Sequence, residues 1–92
     1  MRESTVEDYL VAEVVKLGGE VRKLKWLGRS HAPDRFVAFN GVWLVELKAT
    51  GKGERAGQAR ERKRLTENGV RCWIINSLDG VDEFIAHIKV VR

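Results

Sequence analysis

The sequence has one cysteine, one proline and no long apolar run, and each scarcity excludes a class of protein. Cys72 has no partner for an intramolecular disulfide, and it begins the apolar string Cys72-Trp73-Ile74-Ile75, so we expect a core thiol in a reducing compartment rather than a nucleophile. No apolar stretch approaches the ~20 residues of a membrane helix. The acidic, polar residues 1–8 lack the apolar region of a secretory signal. We therefore expect a cytoplasmic protein.

What the chain does have is enough apolar residues for one core and an excess of positive charge. Its 92 residues are 43% hydrophobic and 33% charged, and we expect a single domain over residues 1–92. The formal net charge is +4. This excess favours a polyanionic partner, because cations that neutralise phosphates release counterions.

The spacing of apolar residues predicts an α/β fold with the order αβββαβ followed by a closing helix. Gly18-Gly19 ends the first helix, Asn40-Gly41 predicts a hairpin, and Gly69 ends the second helix. The order favours a mixed sheet flanked by helices. The predicted elements are a helix over 4–17, strands over 20–27, 36–39 and 42–45, a helix over 55–68, a strand over 71–76 and a helix over 81–88.

The hairpin decides whether Asp34 and Glu46 meet. A two-residue Asn40-Gly41 loop would place Asp34 opposite Leu47 and direct its carboxylate to the wrong face of the sheet. A three-residue loop, residues 39–41 with Gly41 in the left-handed region, instead pairs Asp34 with Glu46. We predict this second register, which also pairs Phe36 with Leu44 and Ala38 with Val42.

In this register two carboxylates and an amine share one face of the sheet. Glu46 and Lys48 are two residues apart in a strand, so their side chains point the same way. Asp34 and Glu46 would repel one another unless a divalent cation bound between them, and such an ion also activates water for phosphodiester hydrolysis. Without thiol and histidine ligands suited to zinc, magnesium or manganese is expected. The alternative is that Asp34 is a turn residue and that Glu46 and Lys48 decorate an edge strand.

At these residues the chain resembles the VRR-NUC branch of the PD-(D/E)XK nuclease superfamily, whose stand-alone members occur in phages and bacteria. The resemblance covers nearly the whole chain and implies a restriction-endonuclease-like αβββαβ core. Where the family commonly has glycine three residues before the aspartate, this sequence has His31. The matching segments are Glu3-Ser4-Thr5-Val6-Glu7, Pro33-Asp34-Arg35, Val45-Glu46-Leu47-Lys48, Gln58 and Gly69-Val70-Arg71 with the strand after it.

The resemblance implies a metal-dependent deoxyribonuclease in a bacterial or phage-infected cell. Metal ligands would be Asp34, Glu46 and the Leu47 carbonyl, with a catalytic Lys48 and a role for Gln58 beside the site. It further implies a homodimer that cuts branched DNA, such as four-way (Holliday) junctions or flaps, with little sequence specificity. The alternative is a binding module on the same fold that does not cut. The expected DNA contacts are Arg35, Arg55, Arg62 and His31. Alternatively, His31 is an exposed loop residue without a function.

Three other features admit more than one interpretation. Glu7 could close a capping box with Ser4, but its spacing to Leu10, Val11 and Val14 places it on the apolar face of its helix, and the resemblance implies a supporting acid at the site. The tryptophans Trp26, Trp43 and Trp73 lie on three predicted strands, and they are interpreted as core or subunit-contact residues. The basic residues of the second helix would meet the phosphates that flank the scissile bond if Gln58 lies at the site, or alternatively form only a solvated face: Arg55, Arg60, Arg62, Lys63 and Arg64.

Overall fold

The computed structural model describes residues 1–91 and shows a four-stranded mixed sheet flanked by helices. The strand order is β1-β2-β3-β4, in which β1, β2 and β3 are antiparallel neighbours and β4 is parallel to β3. The predicted fold class and element order are confirmed. The elements are α1 (Glu3–Lys16), β1 (Glu20–Lys23), β2 (Arg35–Ala38), β3 (Val42–Leu47), α2 (Ala56–Glu67), β4 (Cys72–Ile75) and α3 (Leu78–Val90).

The core lies on one face of the sheet, beneath α1 and α3. Trp43, Val45 and Leu47 alternate along β3 and point to this face, as the period of two in a strand requires. The rest of the cluster comes from α1, β2, β4 and α3: Val6, Leu10, Val14, Val37, Ile75, Val81, Phe84 and Ile88. Leu44 and Glu46 are also buried, and they alternate with this set and face the side that α2 covers.

Two predicted boundaries are wrong for identifiable reasons. The strand expected over 20–27 ends at Lys23, after which one backbone bond from Leu24 N–H to the Asp34 carbonyl closes the pairing. Trp26 therefore lies in a loop. The last helix begins at Leu78, because the hydroxyl of Ser77 accepts the N–H of Gly80 and caps the helix three residues earlier than expected.

The hairpin between β2 and β3 has the predicted register. Ala38 pairs with Val42 and Phe36 with Leu44, which leaves residues 39–41 as the loop. Asn40 and Gly41 both have positive φ, 52° and 112°. The ladder ends at Arg35 and Val45. Asp34 therefore leaves the sheet beside the last residues of β3.

Within residues 1–91 no helix combines the length and the apolar character that a membrane crossing needs.

Candidate active site

The end of β3 brings the two predicted acids together. The Asp34 N–H donates to the Val45 carbonyl at 3.0 Å, and its Oδ2 accepts the N–H of Leu47 at 2.7 Å. The predicted regular pair between Asp34 and Glu46 therefore does not form. Asp34 instead bonds to the two neighbours of Glu46 on β3. Glu46 is 3% exposed, and its buried Oε2 has no hydrogen-bond partner among residues 1–91. The central position of β3 excludes the alternative that Glu46 decorates an edge strand.

This environment disfavours a negative charge on Glu46. Burial, and after it the neighbouring charge of Asp34, raises the pKa of Glu46 to about 7 against the opposing charge of Lys48. A buried carboxylate whose charge is so poorly compensated is costly for the fold. The site therefore carries an excess of negative charge that a cation would balance.

Lys48 is held beside these acids by α2. Its Nζ donates to Gln58 Oε1 at 2.6 Å and lies 4.0 Å from Glu46 Oε2. The same Gln58 oxygen accepts the N–H of Arg55 at 3.1 Å, so the glutamine is fixed to the first turn of α2. The backbone of Lys48 is also fixed, because its N–H donates to the Ile75 carbonyl. Gln58 lies next to the lysine, as expected.

Glu7 approaches the site through Arg35. The carboxylate of Glu7 forms an ion pair with the Arg35 guanidinium, which also donates to the Asp34 carbonyl. The helix α1 begins at Glu3 with Arg2 as its N-cap, so the capping box with Ser4 does not form. Glu7 thus steadies the backbone of Asp34 by way of the arginine.

The structure places two of the four expected DNA contacts in internal ion pairs. The Arg35 side chain is only 11% exposed and faces Glu7. Arg62 donates twice to Glu54 Oε1, at 2.9 and 2.7 Å. We revise the expectation for both: these guanidiniums position neighbouring carboxylates more readily than they reach a phosphate.

The other two expected contacts are exposed. Arg55 lines an open pocket of about 240 Å³ together with Lys48, Lys52 and Glu3. His31, at φ 68°, lies flat against the first turn of α2, where a Cβ on Gly57 would be 2.4 Å from its Nε2. Arg55 therefore borders the groove in which Lys48 lies, whereas His31 packs on the first turn of α2.

Two glutamates at the site escaped the sequence analysis. Glu54 has a buried Oε2 without a hydrogen-bond partner in the described chain, and its charge contributes to the raised pKa of Glu46. Glu61 is buried and accepts from Trp26 Nε1 at 2.7 Å, from Arg29 and from Arg64. In the sequence alone, neither glutamate can be distinguished from an acid on a solvated helix face. The one available signal was Trp26, whose indole N–H needs an acceptor when it is covered.

The donor set fits a hard divalent cation. Carboxylate and carbonyl oxygens are the ligands that magnesium and manganese prefer. Asp34 and the unpartnered Glu46 Oε2 supply two such oxygens, and the backbone of Leu47 is adjacent to both. Among residues 1–91, no group of three or more His, Cys, Asp or Glu side chains is arranged to hold a metal. The set of two carboxylates and the Leu47 carbonyl stays a prediction.

This fold and the acidic pair with its lysine define a nuclease of the PD-(D/E)XK type. A solved structure described as a VRR_NUC domain matches at a TM-score of 0.85 and 36% identity, over 92% of this chain and 95% of that one. The protein named "Putative nuclease p44" from Acyrthosiphon pisum secondary endosymbiont phage 1 is 41% identical over 81 residues, which cover 86% of this chain and 87% of that protein. No family profile matches. The chain belongs to the VRR-NUC family of nucleases.

Proposed function

We propose that this protein is an endonuclease that hydrolyses DNA phosphodiester bonds with magnesium or manganese. The observation that carries the proposal is the buried Glu46 Oε2, which has no partner, beside Asp34 and within 4.0 Å of Lys48 Nζ. A purely structural strand would not retain such a cluster, because each unpaired buried acid is destabilising. Membership of a nuclease family supports the same conclusion.

In this proposal each residue has a chemical role. Asp34, Glu46 and the Leu47 carbonyl hold the ion, whose chemistry is to polarise a phosphoryl oxygen and to lower the pKa of water. Lys48 orients or deprotonates the attacking water, or offsets negative charge that develops on the phosphoryl group. Gln58 is a positioning residue, because it reaches the reaction only through its 2.6 Å bond to Lys48.

The DNA would lie across the exposed groove beside α2. Arg55 and His31 remain available for phosphates, and the pocket that Arg55 shares with Lys52 and Lys48 is suited to a phosphate near the scissile bond. These contacts reach the backbone rather than the edges of bases. Little sequence specificity is therefore expected.

We further propose a homodimer that selects four-way junctions or flaps. A twofold pair of sites can act on two strands of one branched substrate. One end of the molecule offers apolar surface for self-association: Val42 and Val90 are exposed there, where the Asn40 side chain donates to the Ile88 carbonyl. Light scattering after gel filtration gives the mass directly.

Cleavage of labelled duplex, flap and four-way-junction DNA with magnesium or manganese tests the proposal. Asp34→Asn keeps an acceptor for the Leu47 N–H but removes the charge, and Lys48→Met removes the amine. Both are expected to lose about 10²-fold or more in rate while still binding DNA. The matched controls Asp79→Asn and Lys89→Met change exposed residues of α3, on the opposite side of the sheet, and should cut as the wild type does.

The outcomes separate the two candidate functions. Metal-dependent cutting that only the two site variants lose would support the nuclease. If the wild type and all four variants bind DNA equally and none cuts, the chain is a binding module and its acids are structural.

A further inference from the structure

The segment formed by the end of β1 and most of the loop after it, residues 21–33, is positively charged and contains no acid. Residues 21–33 hold four Lys or Arg residues, and the next acidic residue is Asp34 itself. Of the four, Lys23 and Lys25 are exposed, Arg22 pairs with Glu20, and Arg29 pairs with Glu61. A segment of this composition beside a nuclease site is suited to binding the phosphate backbone of DNA.

The two ends of this loop are joined beside the active site. The backbone bond from Leu24 N–H to the Asp34 carbonyl joins them, so residues 25–33 form a compact loop that leaves the sheet at Asp34. From there the loop passes over α2, where His31 lies on Gly57. It therefore lies on the same side of the sheet as Glu46.

One buried carboxylate clamps the middle of the loop. Glu61 accepts the indole N–H of Trp26 at 2.7 Å and a guanidinium N–H of Arg29 at 3.1 Å. These two residues flank Leu27-Gly28, so the tip between them is held at both sides. Because charge-assisted bonds to a buried acid are strong, the tip is a fixed projection rather than a floppy end.

The clamped tip presents a leucine to solvent. Leu27 is 93% exposed, more than any of the other large apolar residues on the surface. Gly28 has φ +78° and no neighbouring atoms that a side chain would meet, so the space around the tip is open. An apolar side chain that is held rigidly outward between cations has the properties of a wedge for stacked bases.

We propose that Leu27 inserts between base pairs where DNA is branched or distorted, while Lys25 and Arg29 contact the adjacent phosphates. The inference rests on the proposed function and supplies its selectivity. Unstacking is least costly at a junction or flap, where stacking is already interrupted, so the wedge favours those substrates over plain duplex. Arg29 can hold the tip of the loop and contact a phosphate at the same time, because its guanidinium is half-exposed while it bonds to Glu61.

The test uses junction and linear duplex DNA with 2-aminopurine at one step, bound by the full chain with calcium in place of magnesium. The wild type should raise the fluorescence at a step beside the branch, which reports unstacking. Leu27→Ala should abolish the rise and weaken junction binding about tenfold or more, with duplex binding within about twofold. Leu27→Met should retain most of the rise. Val15→Ala, at a 59% exposed apolar position on α1, is the matched control.

The remaining outcomes overturn either the wedge or the nuclease. An unchanged fluorescence rise in Leu27→Ala would mean that the leucine does not enter the stack. A drop in the mass of Leu27→Ala by light scattering would mean that a second copy of the chain covers it. Cutting by the wild type without any 2-aminopurine response would overturn the wedge and leave the nuclease intact, whereas a response without cutting with magnesium would overturn the nuclease alone.

Discussion

Glu46→Gln should stabilise the metal-free protein, although it removes a proposed metal ligand. Burial and the neighbouring charge of Asp34 together raise the pKa of Glu46 from 4.5 to about 7. The folded state therefore holds this proton more tightly than the unfolded state does. Its contribution is fully present below about pH 4.5 and is lost as the pH rises through 7.

The shift sets the size of the effect. One pKa unit corresponds to about 1.4 kcal/mol, so the ionised Glu46 costs up to roughly 3 kcal/mol above pH 7. That is a large share of the stability of a small domain. Glutamine keeps the shape without the charge, so the gain in Glu46→Gln should approach this value at pH 8 and fall below about 1 kcal/mol at pH 5.

Urea unfolding in EDTA at the two pH values measures the difference, with Glu83→Gln on the exposed side of α3 as the control. Added magnesium should then stabilise the wild type and not the variant, because only a ligand that binds the folded state raises its stability. A loss of stability in Glu46→Gln at pH 8 without metal would refute the reasoning. It would mean that protein groups already compensate the carboxylate.

Three further outcomes follow from α2. Gln58→Ala should lower kcat about tenfold or more with little change in KM, since it acts through Lys48, and Gln58→Glu should recover part of the loss in the same steady-state assay. Gly57→Ala should destabilise the protein through the clash with His31, but stabilise it by about 0.5–1 kcal/mol in a His31→Gly background, as thermal unfolding of the four proteins would show. Amide hydrogen exchange should be faster in α2 than in α1, because α2 buries only Gly57 and Glu61 completely.

The register of the hairpin could be predicted because alternation and turn length constrain it together. A shift by one residue would have placed Asp34 opposite Leu47, on the face of the sheet that packs into the core. The sequence therefore admits only a loop that keeps the acid on the other face. Its pairs are confirmed as far as Arg35 and Val45, where Asp34 turns to the Leu47 N–H instead.

The ion pairs could not be predicted in the same way. Arg35 faces Glu7 and Arg62 faces Glu54 across separations that follow no helical or strand period. Arginine in a basic segment looks alike in a sequence whether it binds an internal acid or a phosphate. Only the positions of α1 and of the segment before α2, which tertiary packing sets, decide between the two.

The two halves of the site consequently depend on different interactions. Glu46 lies on a central strand whose opposite face is packed in the core, so the fold itself fixes the acids. Gln58 lies on α2, whose side-chain hydrogen bonds to other parts of the fold include those of Glu61 and the bond to Lys48. Such contacts are individually weaker than apolar burial and are sensitive to charge. Lys48 can thus be displaced while the strand that carries Glu46 stays folded. Substitutions on α2, outside the site, should therefore change the rate of cleavage.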